Sequence, residues 1–287
     1  MATFRTFRPE DYSAVCDFLI ALNTNRSHIH WNWARFEWMY EHPDFDKSLM
    51  HTIGLWFDGD RIVGTAIYDM YFGEAFCAAL PEYAALYPEI LDYAYAALKD
   101  DNGLSIAIGD DNSFEIEAAV KAGFSPIEQT ETIMRRSLAD IAPAALPYGL
   151  QFREFDLPAD ADVMQWAIFR GFDHGDDRAE FERTKIKDGT VRMHFNPHLS
   201  IGAIDEAGEP AAYCCLWYDP HTDYAYVEPV CTVPEWRKKG VGKAIVTEAM
   251  RRAHSLGAAS AYVISDQAFY KQLGFAFDRR FTFYHKP

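Results

Sequence analysis

The apolar positions of this chain fall into short alternating runs and longer helical ones, and the same succession of runs occurs twice. Near the start, FRTFRPED (Phe4 to Asp11) reads as a short strand giving way to a helical run, YSAVCDFLIAL. Near the middle, FREFDLPAD (Phe152 to Asp160) does the same before ADVMQWAIFRGF. Hairpin-like segments follow in both halves, one turning at Gly59 and the other at Gly208. LPEYAALYPEIL then lines up with VPEWRKKGVGKAIV through Pro81 and Pro234, and AAVKAGF with AFYKQLGF through Gly123 and Gly274. Four markers in one order, spaced by about 150 residues, point to two copies of one structural unit. The division runs 1–140 and 149–287. The join, Ser137 to Gly149, carries two prolines and a terminal glycine and fits a linker. Each copy reads strand, one or two helices, hairpin, strand, helix, strand, helix, strand. That order predicts a mixed α/β (α+β) sheet in each half.

One bend in the second copy carries chemistry. DYAYVEPVCTV (Asp223 to Val233) reads as a strand in which Pro229, unable to donate to a ladder, marks an edge or a bulge. After Pro234 come Arg237, Lys238, Lys239 and Lys243, interleaved with Gly240 and Gly242. Then Val241, Ile245, Ala249 and Ala253 form a helical stripe, and Gly257 supplies a stop. Strand, basic glycine loop and helix make an anion site: the first helical N–H groups lack internal partners, and glycine lets them approach closely. The chain as a whole has net charge −16, so the cluster stands out. A Walker loop is excluded because Ala244 follows Lys243, and a dinucleotide fingerprint because Ile245 stands where its third glycine or alanine belongs. An ordinary basic loop capping a helix is the plain alternative.

Composition narrows the rest. Among 287 residues, 49% are apolar, enough for a core in each half, yet no window predicts a membrane span. The N-terminal segment lacks the apolar region of a signal peptide. Five cysteines without paired spacing predict reduced thiols and a cytoplasmic setting. The acidic balance argues against nucleic acid; it mildly favours small cationic substrates by steering, with solubility alone as the alternative. No metal is expected: neither C-x-x-C nor H-E-x-x-H occurs, and His28-x-His30 has no further ligand spaced to complete a site. The aromatic stretch His28 to Pro43 either floors a pocket for a flat or cationic ligand or packs inside the protein, with Trp31, Arg35 and Trp38 at helical spacing.

The pattern R-x-x-G-x-G (Arg237 to Gly242), closing a strand and opening a helix, followed by AFYKQLGF (Ala268 to Phe275), resembles the GNAT superfamily of N-acetyltransferases. The resemblance implies two tandem acetyltransferase-like domains, each with a mostly antiparallel sheet flanked by helices. It implies acetyl-CoA as co-substrate, its pantetheine arm against the backbone of Val230, Cys231 and Thr232. The phosphates would lie on Arg237, Lys238, Lys239, Gly240, Val241, Gly242 and Lys243. Tyr270 occupies the family's usual general-acid position, and many members carry an Asn where this chain has Ser265-Asp266-Gln267.

Glu228, two before Val230 and so on the same strand face, is the candidate base, with a solvated or structural carboxylate as the alternative. His174, His194 and His198 lack motif support, and Cys231 as a nucleophile lacks a neighbouring His. In the first copy Arg237, Gly240, Gly242 and Tyr270 become Ala84, Tyr87, Glu89 and Ala119, which predicts a copy that does not bind acetyl-CoA. The expected activity is acetyl transfer to the primary amine of a small molecule, by direct attack through a tetrahedral intermediate. A non-catalytic binder of acyl-CoA or of a small molecule is the alternative, and a different acyl donor is also compatible with the sequence.

Overall fold

A computed structural model of the chain describes residues 2–42, 44–185 and 193–287. Pro43, which closes the aromatic stretch, lies outside them. The chain divides into two compact units. Unit 1 comprises Met1–Met134, Ile264–Asp266 and Phe277–Pro287, and unit 2 comprises Arg135–Val263 and Gln267–Ala276.

In chain order unit 1 contains β1 (Thr3–Thr6), α1 (Tyr12–Leu22), α2 (Trp33–Tyr40), the hairpin β2 (Gly54–Asp58) and β3 (Arg61–Asp69), and β4 (Tyr71–Ala79). Next come α3 (Tyr87–Leu98), β5 (Leu104–Gly109), α4 (Ser113–Lys121) and most of β6 (Ser125–Ser137). Unit 2 repeats the order: β7 (Leu150–Glu154), α5 (Ala161–Gly171), α6 (Arg178–Thr184), the hairpin β8 (Ser200–Asp205) and β9 (Pro210–Tyr218), and β10 (Tyr224–Thr232). Then follow α7 (Val241–Ser255), β11 (Ser260–Ile264), α8 (Ala268–Gln272) and β12 (Ala276–Lys286). The hairpin turns fall at Gly59 and Gly208, whose φ of +61° and +86° is the left-handed region that favours glycine.

The element order is the one the repeat predicts, but one strand changes sides. Dividing the sequence at its join keeps the last strand with the second copy, whereas β12 runs antiparallel to β5, from Phe281 opposite Gly109 to Lys286 opposite Leu104. It thus belongs to unit 1 from Phe277 onward. Alternation of apolar and polar residues shows that β12 is a strand, and buried Phe281 and Phe283 mark its inner face. Nothing local in such a pattern names the neighbour.

Strand order in unit 1 is β1-β2-β3-β4-β5-β12-β6, and in unit 2 β11-β10-β9-β8-β7. Both sheets are mostly antiparallel, and each contains a parallel pair, β4–β5 in unit 1 and β10–β11 in unit 2. Val241, Ile245, Ala249 and Ala253 are buried where α7 lies on β8, β9 and β10. The aromatic stretch is largely interior: Trp31, Trp33 and Phe36 are buried. The helix in it begins only at Trp33, because the Asn32 side chain accepts from the Ala34 and Arg35 amides and caps it there. Trp31 therefore lies outside the helical face predicted for it. Among the described residues, no helix is long and apolar enough to cross a membrane.

Candidate active site

The site in unit 2 is built around an interruption of β10. Opposite β9, Val227 pairs with Leu216 and Val230 with Cys214, so Glu228 and Pro229 together face one residue, Cys215. This is the bulge that Pro229 foretells. The Trp217 indole N–H donates to the Glu228 carbonyl at 2.7 Å and holds that peptide plane. Past the bulge, half-buried Glu228, Val230 and Thr232 alternate with buried Pro229 and Cys231. Pairing of β10 with β11 stops at Tyr226–Tyr262, while β10 runs on to Thr232.

After β10, a short 3₁₀ turn (Pro234–Trp236) leads to the basic loop. Arg237 Nε donates to the Thr232 carbonyl at 3.0 Å and Nη2 to the Gly171 carbonyl at 2.9 Å, and Nη2 pairs with Asp173 Oδ1 at 2.9 Å. Its guanidinium ties the end of α5 to the end of β10. Lys238, Lys239 and Lys243 are exposed and, among the described residues, make no ion pair; Lys239 Nζ lies 4.9 Å over the Trp236 ring.

Gly240 has φ +84° and caps α7 without a side chain, and no acidic residue occupies the first turn. The first bond of the helix is Ala244 N–H to the Gly240 carbonyl at 3.0 Å, so the amides of Val241, Gly242 and Lys243 precede the internal ladder. A Cβ on Gly242 would stand 2.9 Å from Thr232 Oγ1, so any larger residue would have to push that side chain aside, while the Phe269 ring at 3.5 Å would be in ordinary contact. An uncapped, acid-free helix start beside three unpaired lysines fits a pyrophosphate.

Tyr270, on α8, is 9% exposed, its ring 5.0 Å from Phe269 and 5.6 Å from Phe275. Burial pushes its pKa well above the ordinary tyrosine value, and the nearby Cys214 and Glu228 add to the shift. Cys231 is a packed residue: its thiol, 3.3 Å from the Ala167 carbonyl, is pushed up to about 12 by burial and stays protonated. His198 pairs with Glu154 at 3.0 Å, and the His174 ring lies against Phe169 at 5.6 Å. In unit 1, His28 bonds Glu115 at 2.8 Å, and burial holds the pKa of the neighbouring His30 far below the usual imidazole value. Sequence reasoning missed Trp217, Gly171 and Asp173, because each acts through a backbone carbonyl or a distant partner and leaves no motif.

The corresponding bend of unit 1 has lost this chemistry. The 3₁₀ turn Pro81–Leu86 runs straight into α3, and the Tyr87 N–H is already bonded to the Ala84 carbonyl. Pro88 has no N–H at all, and the Glu89 carboxylate accepts from the Trp56 indole at 2.8 Å. Tyr87 and Ala119, at the positions of Gly240 and Tyr270, are both buried.

Residues 162–275 match the acetyltransferase (GNAT) family. Over 170 residues the chain is 24% identical to a mycothiol acetyltransferase of Pseudarthrobacter chlorophenolicus, an alignment that takes in 55% of this chain and 53% of that one. The chain thus spans about half the length of this curated relative. Among solved structures, a tandem GNAT protein from the clavulanic acid biosynthesis pathway superposes with a TM-score of 0.60 at 15% identity, over 100% of this chain and 98% of that one. A GCN5-related N-acetyltransferase from Sphaerobacter thermophilus gives 0.55 at 15% identity, over 99% and 95% of the two chains. At that identity the likeness is one of fold. The chain has the tandem GNAT fold, and the match to the acetyltransferase (GNAT) family falls in its second half, within residues 162–275.

Proposed function

We propose that unit 2 transfers an acetyl group from acetyl-CoA to the primary amine of a small molecule. The observation that carries this reading is the uncapped start of α7, acid-free and lysine-rich, at the end of a bulged strand and beside a buried tyrosine. The family match and the acetyl transfer named for the curated relative support the reaction class.

The Val241–Lys243 amides and the three free lysines hold the phosphates, and the backbone from Val230 to Thr232 orients the thioester arm. An alkylamine has a pKa near ~10 and must lose a proton before it attacks. Glu228, half-buried on β10, is the group proposed to accept it, directly or through water. As the carbon–nitrogen bond forms, the carbonyl oxygen gains charge, which backbone N–H groups near the bulge stabilise. The carbon–sulfur bond then breaks with its electron pair on sulfur, and the excess proton on the new amide nitrogen passes to that thiolate or to water. Tyr270 keeps its proton at neutral pH and offers it to the leaving sulfur. A thiol has a reference pKa of about 8.5, below that of the phenol, so the hydrogen bond to sulfur matters more than complete transfer. The acidic surface favours approach of cationic amines. All five cysteines are free and buried, which fits a reducing compartment such as the cytoplasm.

Thiol release from acetyl-CoA against a panel of small amines tests the reading. Turnover with at least one amine is expected, and Tyr270→Phe should lower kcat by about a hundredfold. Unchanged turnover in Tyr270→Phe removes the acid role. A CoA-dependent rise in melting temperature with no thiol release on any amine replaces the enzyme with a binding protein.

A further inference from the structure

The function proposed for unit 2 leaves the start of the aromatic stretch unexplained, and its first four residues occupy a particular place. β4 and β5 pair in parallel at Glu74–Ser105 and Ala75–Ile106 only, although β4 continues to Ala79 and β5 to Gly109. The next residue on each strand is Phe76 and Ala107. The His30 ring lies between the two: its centroid is 5.8 Å from the Phe76 ring, and it hydrogen-bonds the Ala107 backbone. Trp31 stacks on Phe76 at 3.9 Å with the planes 1° apart, and Phe281 of β12 faces His30 at 3.7 Å. His28 Nε2 meets Glu115 Oε1 of α4 at 2.8 Å, and the Asn23 side chain donates to the Trp31 carbonyl at 2.9 Å. His28, Ile29, His30 and Trp31 are all buried.

In unit 2 the matching place, past Tyr226–Tyr262, is the one assigned above to the thioester arm. We infer that unit 1 is filled by its own chain: residues His28 to Trp31 occupy the gap beyond the last β4–β5 pair, and the first copy takes no CoA. Where two strands part, their facing backbone groups need new partners. The His30 imidazole supplies one at Ala107, while Phe76, Trp31 and Phe281 enclose it. His30 Nδ1 has no hydrogen-bond partner among the described residues, so the ring is held by its fit between the strands and not by a complete set of polar contacts. The likeness drawn to unit 2 rests on the proposed function; the filling itself does not.

The test is melting of full-length His30→Gly with and without added imidazole. The variant should melt below the wild type, and imidazole should restore part of the loss while leaving the wild type unmoved. A folded His30→Gly that ignores imidazole overturns the proposal. Should that variant fail to fold, His30→Phe keeps a ring and loses the donor to Ala107: a lower melting temperature supports the filling, and an unchanged one overturns it. Calorimetric titration of the wild type with CoA should give one equivalent per chain, and a second equivalent would sink the idea. No CoA binding together with intact imidazole rescue would keep the filled gap and remove the CoA reading of unit 2.

Discussion

The bend after β10 and the bend after β4 share a backbone plan and differ in what their polar groups have left to offer. After β10, Gly240 turns the chain into α7 with its first amides ahead of the ladder and three lysines that, among the described residues, make no ion pair. After β4, the same turn is continuous with α3: one amide is bonded to Ala84, the next residue is proline, and the carboxylate of Glu89 is bound to Trp56. An anion site at a helix start needs more than positive charge. It needs N–H groups that nothing else has claimed, and the first copy has claimed one and deleted the next while adding a buried tyrosine.

Exchanging residues between the copies should break this comparison most sharply. Tyr87→Gly removes a buried aromatic side chain and adds backbone freedom, so it should cost about 3–5 kcal/mol in denaturant unfolding without creating a second CoA site. In the opposite direction, nothing lies within 4 Å of a Cβ on Gly240, but its φ of +84° penalises any side chain. Gly240→Tyr should therefore cost only about 1–2 kcal/mol of stability yet weaken CoA binding roughly tenfold or more, as read by calorimetry.

A smaller effect separates the two sheets by pH. Burial, with Asp69 adding to it, pushes the Glu74 carboxyl on β4 up to about 7. The folded chain holds that proton more tightly than the unfolded chain does. Its contribution is therefore complete below the ordinary carboxylate range and lost as pH rises through about 7. Glu74→Gln should flatten the stability change between about pH 5 and pH 8 by about 1–2 kcal/mol in chemical denaturation. The smallest effects belong to single lysines: Lys238→Ala, Lys239→Ala or Lys243→Ala should each weaken CoA binding about two- to fivefold and reduce its salt dependence, because exposed charges are screened. Equal losses from Lys99→Ala in unit 1 would show that bulk charge and not the loop is responsible.

Much of the fold was legible because the two copies repeat their elements in order, and hydrophobic period reports element type. The bulge was legible from Pro229, and the helix stripe of α7 from four residues. What escaped was partnership. Arg237 reads as a phosphate ligand from its motif, while its partners Gly171 and Asp173 lie in a turn far upstream. Glu228 and Val230 read as neighbours on one face, but the hold of Trp217 on the Glu228 carbonyl depends on strand register. His28 and His30 read as a pair without a further ligand, because the groups they meet, Glu115 on α4 and Ala107 on β5, are far from them in sequence.

The placement of β12 bears on how the protein is made. Ser105 and His285 hydrogen-bond at 3.1 Å across 180 positions of sequence. A nascent chain emerging from the ribosome can complete neither the sheet of unit 1 nor the wall that Phe281 sets against His30 until residues 277–286 have been synthesised. The first half to be translated is thus not the first half to be finished, and β5 waits with an unpaired edge through the whole synthesis of unit 2.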